Sequence, residues 1–148
     1  MENALWEFLL EKEYKKIKLK FTKTNHFEVK ASINGVKGLF ILDTGASNSC
    51  IGFKDADLFN LKAKASSIKA AGAGAIDMLT QTASKNKIKI GRWKCNNITL
   101  VLFDLTHVNT ALTMHNAKPV NGIIGADILK KGKAIIDYNK KYLYLKVL

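Results

Sequence analysis

The alternation of apolar and polar residues divides the chain into short segments. From Asn3 to Tyr14, Leu5, Phe8 and Leu9 fall at helical spacing, and Asn3 stands where a cap belongs, so a short amphipathic helix is expected. The period then drops to two. Ile17, Leu19 and Phe21 alternate with Lys16, Lys18 and Lys20, the pattern of a strand with one wet face. His26 to Ile33 reads as a second strand, Asn34-Gly35 as a tight hairpin turn, and Val36 to Leu42 as the returning strand. That strand ends in Phe40-Ile41-Leu42, a run apolar enough to be buried on both faces.

Further on, Cys50 to Phe53 is a second apolar patch, followed by a short helical or turn segment around Asp55 to Asn60. Leu61 to Ile90 alternates loosely and is broken by Ala70-Ala71-Gly72-Ala73-Gly74-Ala75, the composition of a hairpin tip. After a turn at Gly91, Trp93 to Phe103 reads as a strand. Asp104 to Asn116 fits neither period cleanly and is read as partly helical. Val120 to Gly125 is an apolar run, Ala126 to Lys131 one or two helical turns, and Ala134–Tyr138 with Tyr142–Val147 a terminal hairpin. The sum is a mostly β domain with a few short helices.

Composition narrows the class. With 148 residues, 47% hydrophobic and one proline, the chain has the make-up of one globular domain, which excludes disordered and collagen-like chains. A domain of this length buries roughly two-thirds of its unfolded surface, so it needs no covalent or metal staple. Cys50 and Cys95 form no CxxC pair, and His26, His107 and His115 show no metal-ligand spacing, so neither metal nor cofactor is expected. No apolar run approaches the ~18 residues of a membrane span. The acidic N-terminal stretch lacks the basic start and small-residue cleavage site of a secretory signal, so a cytoplasmic location is expected.

The net charge is +12, yet all five glutamates lie within the first 28 residues. Any carboxylate chemistry beyond them must come from Asp43, Asp55, Asp57, Asp77, Asp104, Asp127 or Asp137. Of these, Asp43 is unusual. It directly follows a buried strand, where a lone carboxylate is costly, and opens Asp43-Thr44-Gly45-Ala46-Ser47. By itself the tripeptide also fits a plain turn in which Asp43 bonds its own backbone.

The second informative segment is Gly122-Ile123-Ile124-Gly125-Ala126-Asp127-Ile128-Leu129, a strand, a glycine and a helix start. Together with Phe40 to Ser47, it resembles the retropepsin-like aspartic proteases, the single-domain family typified by retroviral proteases. The resemblance runs from about His26 to Leu148. It implies a retropepsin-like acid protease half-barrel with a flap hairpin and one short helix near the C-terminus. Residues 25–148 would form that domain, and 1–24 an N-terminal helix and strand arm outside the resemblance.

The resemblance assigns roles. Asp43 would be the catalytic carboxylate, and Thr44 would lock two catalytic loops together across a two-fold axis. Gly45, Ala46 and Ser47 would offer backbone groups to an extended peptide. Gly72, Ala73 and Gly74 would close over it as the flap, and Ile123 and Ile124 would wall the side-chain pockets. The chemistry needs two carboxylates sharing one proton, and the chain holds a single Asp-Thr-Gly, so the second must come from a second copy. The expected enzyme is a homodimeric aspartic endopeptidase acting on peptide or protein substrates in mild acid. Two departures stand out: Ser47 and Ala126 replace the acidic residue and the arginine that brace retroviral dimers. Other contacts must then hold the dimer, the Tyr142–Val147 strand among them.

Other readings fit less well. Gly45-Ala46-Ser47-Asn48-Ser49 misses the last glycine of a nucleophile elbow, and the parallel α/β sheet is lacking. Gly72-Ala73-Gly74 lacks the third glycine of a dinucleotide loop. Cys50 reads as a small buried residue, the histidines as surface or turn residues, and Asp127 as a carboxylate in a helix's first turn. The basic surface supports an alternative, a non-catalytic module on the same fold that binds acidic partners or nucleic acid. The lysines are spread over alternating strands and Arg92 is the only arginine, which argues against base-specific reading.

Overall fold

The computed structural model describes residues 3–65 and 80–148. In chain order these form α1 (Ala4–Glu11), β1 (Tyr14–Lys18), β2 (Lys20–Phe21), β3 (Phe27–Ile33), β4 (Val36–Leu42), β5 (Cys50–Gly52) and β6 (Lys64–Ala65). After residue 80 follow β7 (Gln81–Ile90), β8 (Trp93–Phe103), α2 (Thr106–Met114), β9 (Gly122–Ile124), α3 (Ala126–Lys131), β10 (Ile135–Asp137) and β11 (Tyr142–Lys146). The fold is mostly β, as the sequence pattern predicts, with α2 filling the segment whose periodicity was mixed.

Eight strands form one sheet in the order β2-β3-β4-β9-β5-β8-β7-β6, and a further β3–β7 pairing curls it onto itself like a barrel. Asn34 and Gly35, both at positive φ, make the β3–β4 turn, as hairpin geometry requires. The strand that places the site is β9. It lies between β4, to which it is parallel, and β5, to which it is antiparallel. Asn121 sets its entry. Its backbone N–H donates to the Leu39 carbonyl, its side-chain oxygen accepts the Leu39 N–H, and its amide nitrogen donates to Asp55. Gly122 is obligatory there for lack of space, since a Cβ would fall 2.1 Å from the Cys50 carbonyl oxygen.

The three remaining strands form a second sheet in the order β1-β11-β10. The lysine-rich strand expected from Ile17 to Phe21 divides at Leu19, whose N–H donates to the Lys141 carbonyl while β1 and β2 join different sheets. Trp93 is anchored to this sheet by a 2.8 Å bond from Nε1 to the Lys146 carbonyl. Since β11 has β1 on one side and β10 on the other, both its backbone edges are filled within the chain. Any contact that Tyr142–Val147 makes with a second copy must therefore use its side chains and not a free backbone edge.

Candidate active site

The apolar run of β4 delivers Asp43 to the end of a buried strand, and β9 holds it there. The Asp43 N–H donates to the Ile124 carbonyl at 2.9 Å, extending the β4–β9 ladder past Leu42. The Ala46 N–H donates to the Asp43 carbonyl at 3.2 Å, and the Gly45 N–H donates to Asp43 Oδ1 at 2.9 Å. Asp43 is half-buried, so the desolvation that makes a buried carboxylate costly is only partial, and the Gly45 amide offsets part of it. Among the described residues Oδ2 has no hydrogen-bond partner.

The loop is fixed from below by the strand-glycine-helix segment. The Ala126 N–H donates to the Ala46 carbonyl at 2.7 Å. Gly125 packs so closely that a Cβ would sit 2.5 Å from that same oxygen, although its extended backbone suits any residue. Space, not backbone freedom, therefore demands this glycine. Ser49 is the second fixing point, and sequence reasoning missed it. Its hydroxyl donates to Asp127 Oδ1 at 2.7 Å and accepts the Gly125 N–H at 2.8 Å. The Ser49 N–H reaches both Asp127 oxygens at 3.0 Å. Asp127 also accepts the Ile128 N–H, so its place in the first turn of α3 stands, but its main task is to tie α3 to the loop. The available signal was a hydroxyl just beyond the first motif and a carboxylate within the second.

A groove of about 480 Å³ opens beside Asp43. Ile41 and Ile123 form its apolar floor with Val108, Ala111 and Leu112 of α2. That helix is pinned by Asn109, whose side chain donates to the Val120 carbonyl and accepts the Val120 N–H. His26, His107 and His115 complete the lining, so all three histidines of the chain meet at Asp43. Their separation in sequence hid this.

Of the other expected site residues, Thr44 and Gly45 are exposed beside Asp43, and the Thr44 hydroxyl has no partner among the described residues. The Gly45 carbonyl and both backbone groups of Ser47 are unengaged among those residues, whereas the N–H and C=O of Ala46 are each used within the protein. Two expectations change accordingly. The Ala46 backbone holds the loop rather than standing open to a ligand. Ile124 does not wall the groove: strand alternation turns it from Ile123 into the main core, where it is 1% exposed. Gly72, Ala73 and Gly74 lie outside the described residues.

Known proteins share this fold. The family model described as "Aspartyl protease" matches residues 29–128, more than half of the chain. The chain belongs to the aspartyl protease family. Among solved structures it is similar to a retropepsin-like aspartic protease from Rickettsia conorii, with TM-score 0.62 and 23% identity over 91% of each chain. It also resembles the retroviral protease-like domain of Ddi1 from Leishmania major, with TM-score 0.52 and 17% identity over 82% of this chain and 91% of that one. EIAV protease, solved with the inhibitor HBY-793, gives TM-score 0.53 and 18% identity over 80% and 98%. A search of curated proteins finds no match. The fold is that of retropepsin-like aspartic proteases.

In this aspartyl protease family member the thiol nearest the loop is not a competing nucleophile. Burial pushes Cys50 up to about 12, with the Asp127 and Asp43 charges adding to it, and it stays a neutral thiol. Asp104 is held below the usual carboxylate range by the Thr106 hydroxyl and N–H, bonds that anchor the start of α2. Among the described residues, no three His, Cys, Asp or Glu side chains are placed to hold a metal ion. Nor is any described helix long and apolar enough to cross a membrane.

Proposed function

We propose that the protein is an aspartic endopeptidase whose site forms on the axis of a homodimer, with Asp43 contributed by each copy. The observation that carries this reading is the setting of Asp43. One carboxylate oxygen is oriented by the Gly45 amide, the other is free among the described residues, and both sit beside a peptide-sized groove. In the dimer, one Asp43 is ionised and takes a proton from a water molecule, whose oxygen attacks the scissile carbonyl carbon. The partner copy's protonated carboxyl donates to the carbonyl oxygen. Collapse of the tetrahedral intermediate returns a proton to the leaving amine, and no metal takes part.

Support for the second copy comes from the opposite side of the loop. Thr44, whose hydroxyl has no partner among the described residues, shares a second groove of about 490 Å³ with Ala126, Leu129, Ala134 and Ile136, rimmed by Lys130 and Lys133. It adjoins β10, which is an edge strand. A hollow with apolar walls beside a strand edge suits a symmetric contact between copies in which Lys130 and Lys133 keep their charges at the solvated rim.

The test is casein hydrolysis from pH 4 to 7 by wild type and Asp43→Asn, with and without pepstatin, across protein concentrations at which sedimentation shows monomer and dimer. Wild-type cleavage should rise steeply with concentration and vanish in Asp43→Asn. Cleavage surviving that substitution would sink the proposal.

A second reading draws on a groove of about 750 Å³ that shares no lining residue with the one at Asp43. It is ringed by Lys16, Lys18, Lys20, Lys30 and Lys141. Such a surface suits an acidic partner. On this reading Asp43→Asn leaves partner binding intact, and retention on heparin falls with salt.

A further inference from the structure

All three histidines of a lysine-rich chain lie in one groove, beside the one carboxylate proposed to be reactive. They arrive from separate places: His26 from the turn before β3, His107 from the first turn of α2, and His115 from just past its end. Structural need does not explain them. All three are exposed, and the rings of His107 and His115 make no hydrogen bond among the described residues. His26 is held only at Nδ1, 2.9 Å from Thr24 Oγ1, which leaves Nε2 available. No described lysine lines this groove, so among the described residues the histidines are its only source of positive charge.

We infer that this histidine-lined groove is a specificity pocket that selects a substrate with a carboxylate side chain, glutamate above all, next to the scissile bond in mild acid. The inference rests on the endopeptidase reading of Asp43 and names its substrate class. Histidine gains its charge between about pH 8 and pH 5, where a glutamate side chain stays largely ionised. At neutral pH the pocket offers apolar walls and neutral imidazoles. In mild acid it offers up to three imidazolium donors above the same walls, which pack the methylenes of a glutamate while the rim bonds its oxygens.

The surrounding charges favour that outcome. Among the described residues lining the pocket the only other titratable group is Asp43, and a dyad sharing one proton carries a single negative charge. Around it, Asp104 precedes α2 and interacts electrostatically with His107. Lys23 lies on the turn that carries His26, and Lys118 follows His115. β4 and β9 add only Ile41 and Ile123 besides Asp43. Because Asp104 is held below the usual carboxylate range, it keeps its bonds to Thr106 while the histidines charge, and α2 stays anchored. By symmetry a dimer places one such pocket on each side of the scissile bond.

The test uses two peptides that differ only by Glu or Gln beside the scissile bond, so that the ratio of their kcat/KM values cancels the pH dependence of the dyad. With wild type, Glu should be favoured about tenfold at pH 5, and the preference should vanish by pH 7.5. In the triple variant His26→Gln, His107→Gln, His115→Gln the ratio should be flat. A ratio that ignores pH, or that persists in the triple variant, overturns the inference. Should that variant not fold, His115→Gln alone at the exposed end of α2 must reduce the preference.

Binding separates this inference from the endopeptidase reading. Fluorescence anisotropy of both labelled peptides with Asp43→Asn needs no hydrolysis. If wild type cleaves neither peptide, yet Asp43→Asn binds Glu over Gln at pH 5 and not at pH 7.5, the pocket stands and the endopeptidase reading falls. Equal binding at both pH values overturns the pocket. The three histidine Hε1 resonances give a last readout: saturating Glu peptide should raise their titration midpoints, and unchanged midpoints count against it.

Discussion

The two faces of the β4-β9-β5-β8 layer are both buried, but by different means. One face contributes Phe40, Leu42, Ile124, Leu100 and Leu102 to a main core that reaches from Ile17 to Leu145. The other contributes Ile41, Ile123, Cys50, Val101 and Phe103 to a smaller cluster closed by Leu105, Leu112 and Val120. Neighbouring residues alternate between them, so Phe40-Ile41-Leu42 reads as an unbroken apolar run. The main core is enclosed by strands on several sides. The smaller one is roofed largely by α2, and its margin is the groove at Asp43. The inner face thus holds the strand in place, while the outer face keeps the end of the same strand within reach of a ligand.

Substitutions on the two faces should therefore separate stability from activity. Phe40→Ala should lower the unfolding free energy by about 3–5 kcal/mol in urea titrations, because the rigid surroundings cannot close the cavity. Leu112→Ala should cost less, about 2 kcal/mol, since a single helix can settle onto the gap, and should weaken peptide hydrolysis through KM. Equal losses from the two would break the comparison.

Ser49→Ala tests the tie between loop and helix. It strands the Gly125 N–H and removes one of the three donors to Asp127 Oδ1, for about 1–2 kcal/mol by the same titration. Ser49→Thr should retain casein cleavage where Ser49→Ala loses it. Asp104→Asn should give a small fall in melting temperature. Asp104 is lowered on folding, so its contribution is present above the ordinary carboxylate value and lost as pH falls through the lowered one. The difference from wild type should thus persist at pH 5 and fade only in stronger acid. Cys50, pushed up to about 12 and buried, should show no reaction with a thiol reagent at pH 8 until the protein is unfolded.

What the sequence reveals follows from how local each cause is. The Asn34-Gly35 hairpin is legible because its turn needs two positive φ angles and those residues supply them. The Asp43 loop and the Gly125 corner are legible because the glycines and small residues that permit close backbone approach sit within the motifs. Helix α2 is not, because its apolar stripe is weak and its position depends on Asn109 bonding across to Val120. The Ser49–Asp127 tie joins residues 78 apart, and the histidine pocket joins an N-terminal turn to a helix beyond β8. Neither leaves a periodic trace. Ile124 was misplaced because an apolar pair at a strand's end does not announce which member faces inward.

The pairing of β1 with β11 has a consequence for how the molecule comes into being. Tyr14 faces Lys146 and Lys18 faces Tyr142, so β1 is matched to the described strand farthest from it in sequence. Until β11 is made β1 lacks its partner strand, and the lysines along it keep that waiting edge from recruiting other chains. The second sheet forms only after β11 has been made, and its closure over so long a stretch of chain is the slow step expected of distant pairings. Because Ile17, Leu143 and Leu145 of these two strands belong to the main core, that core is sealed only when the two distant segments meet.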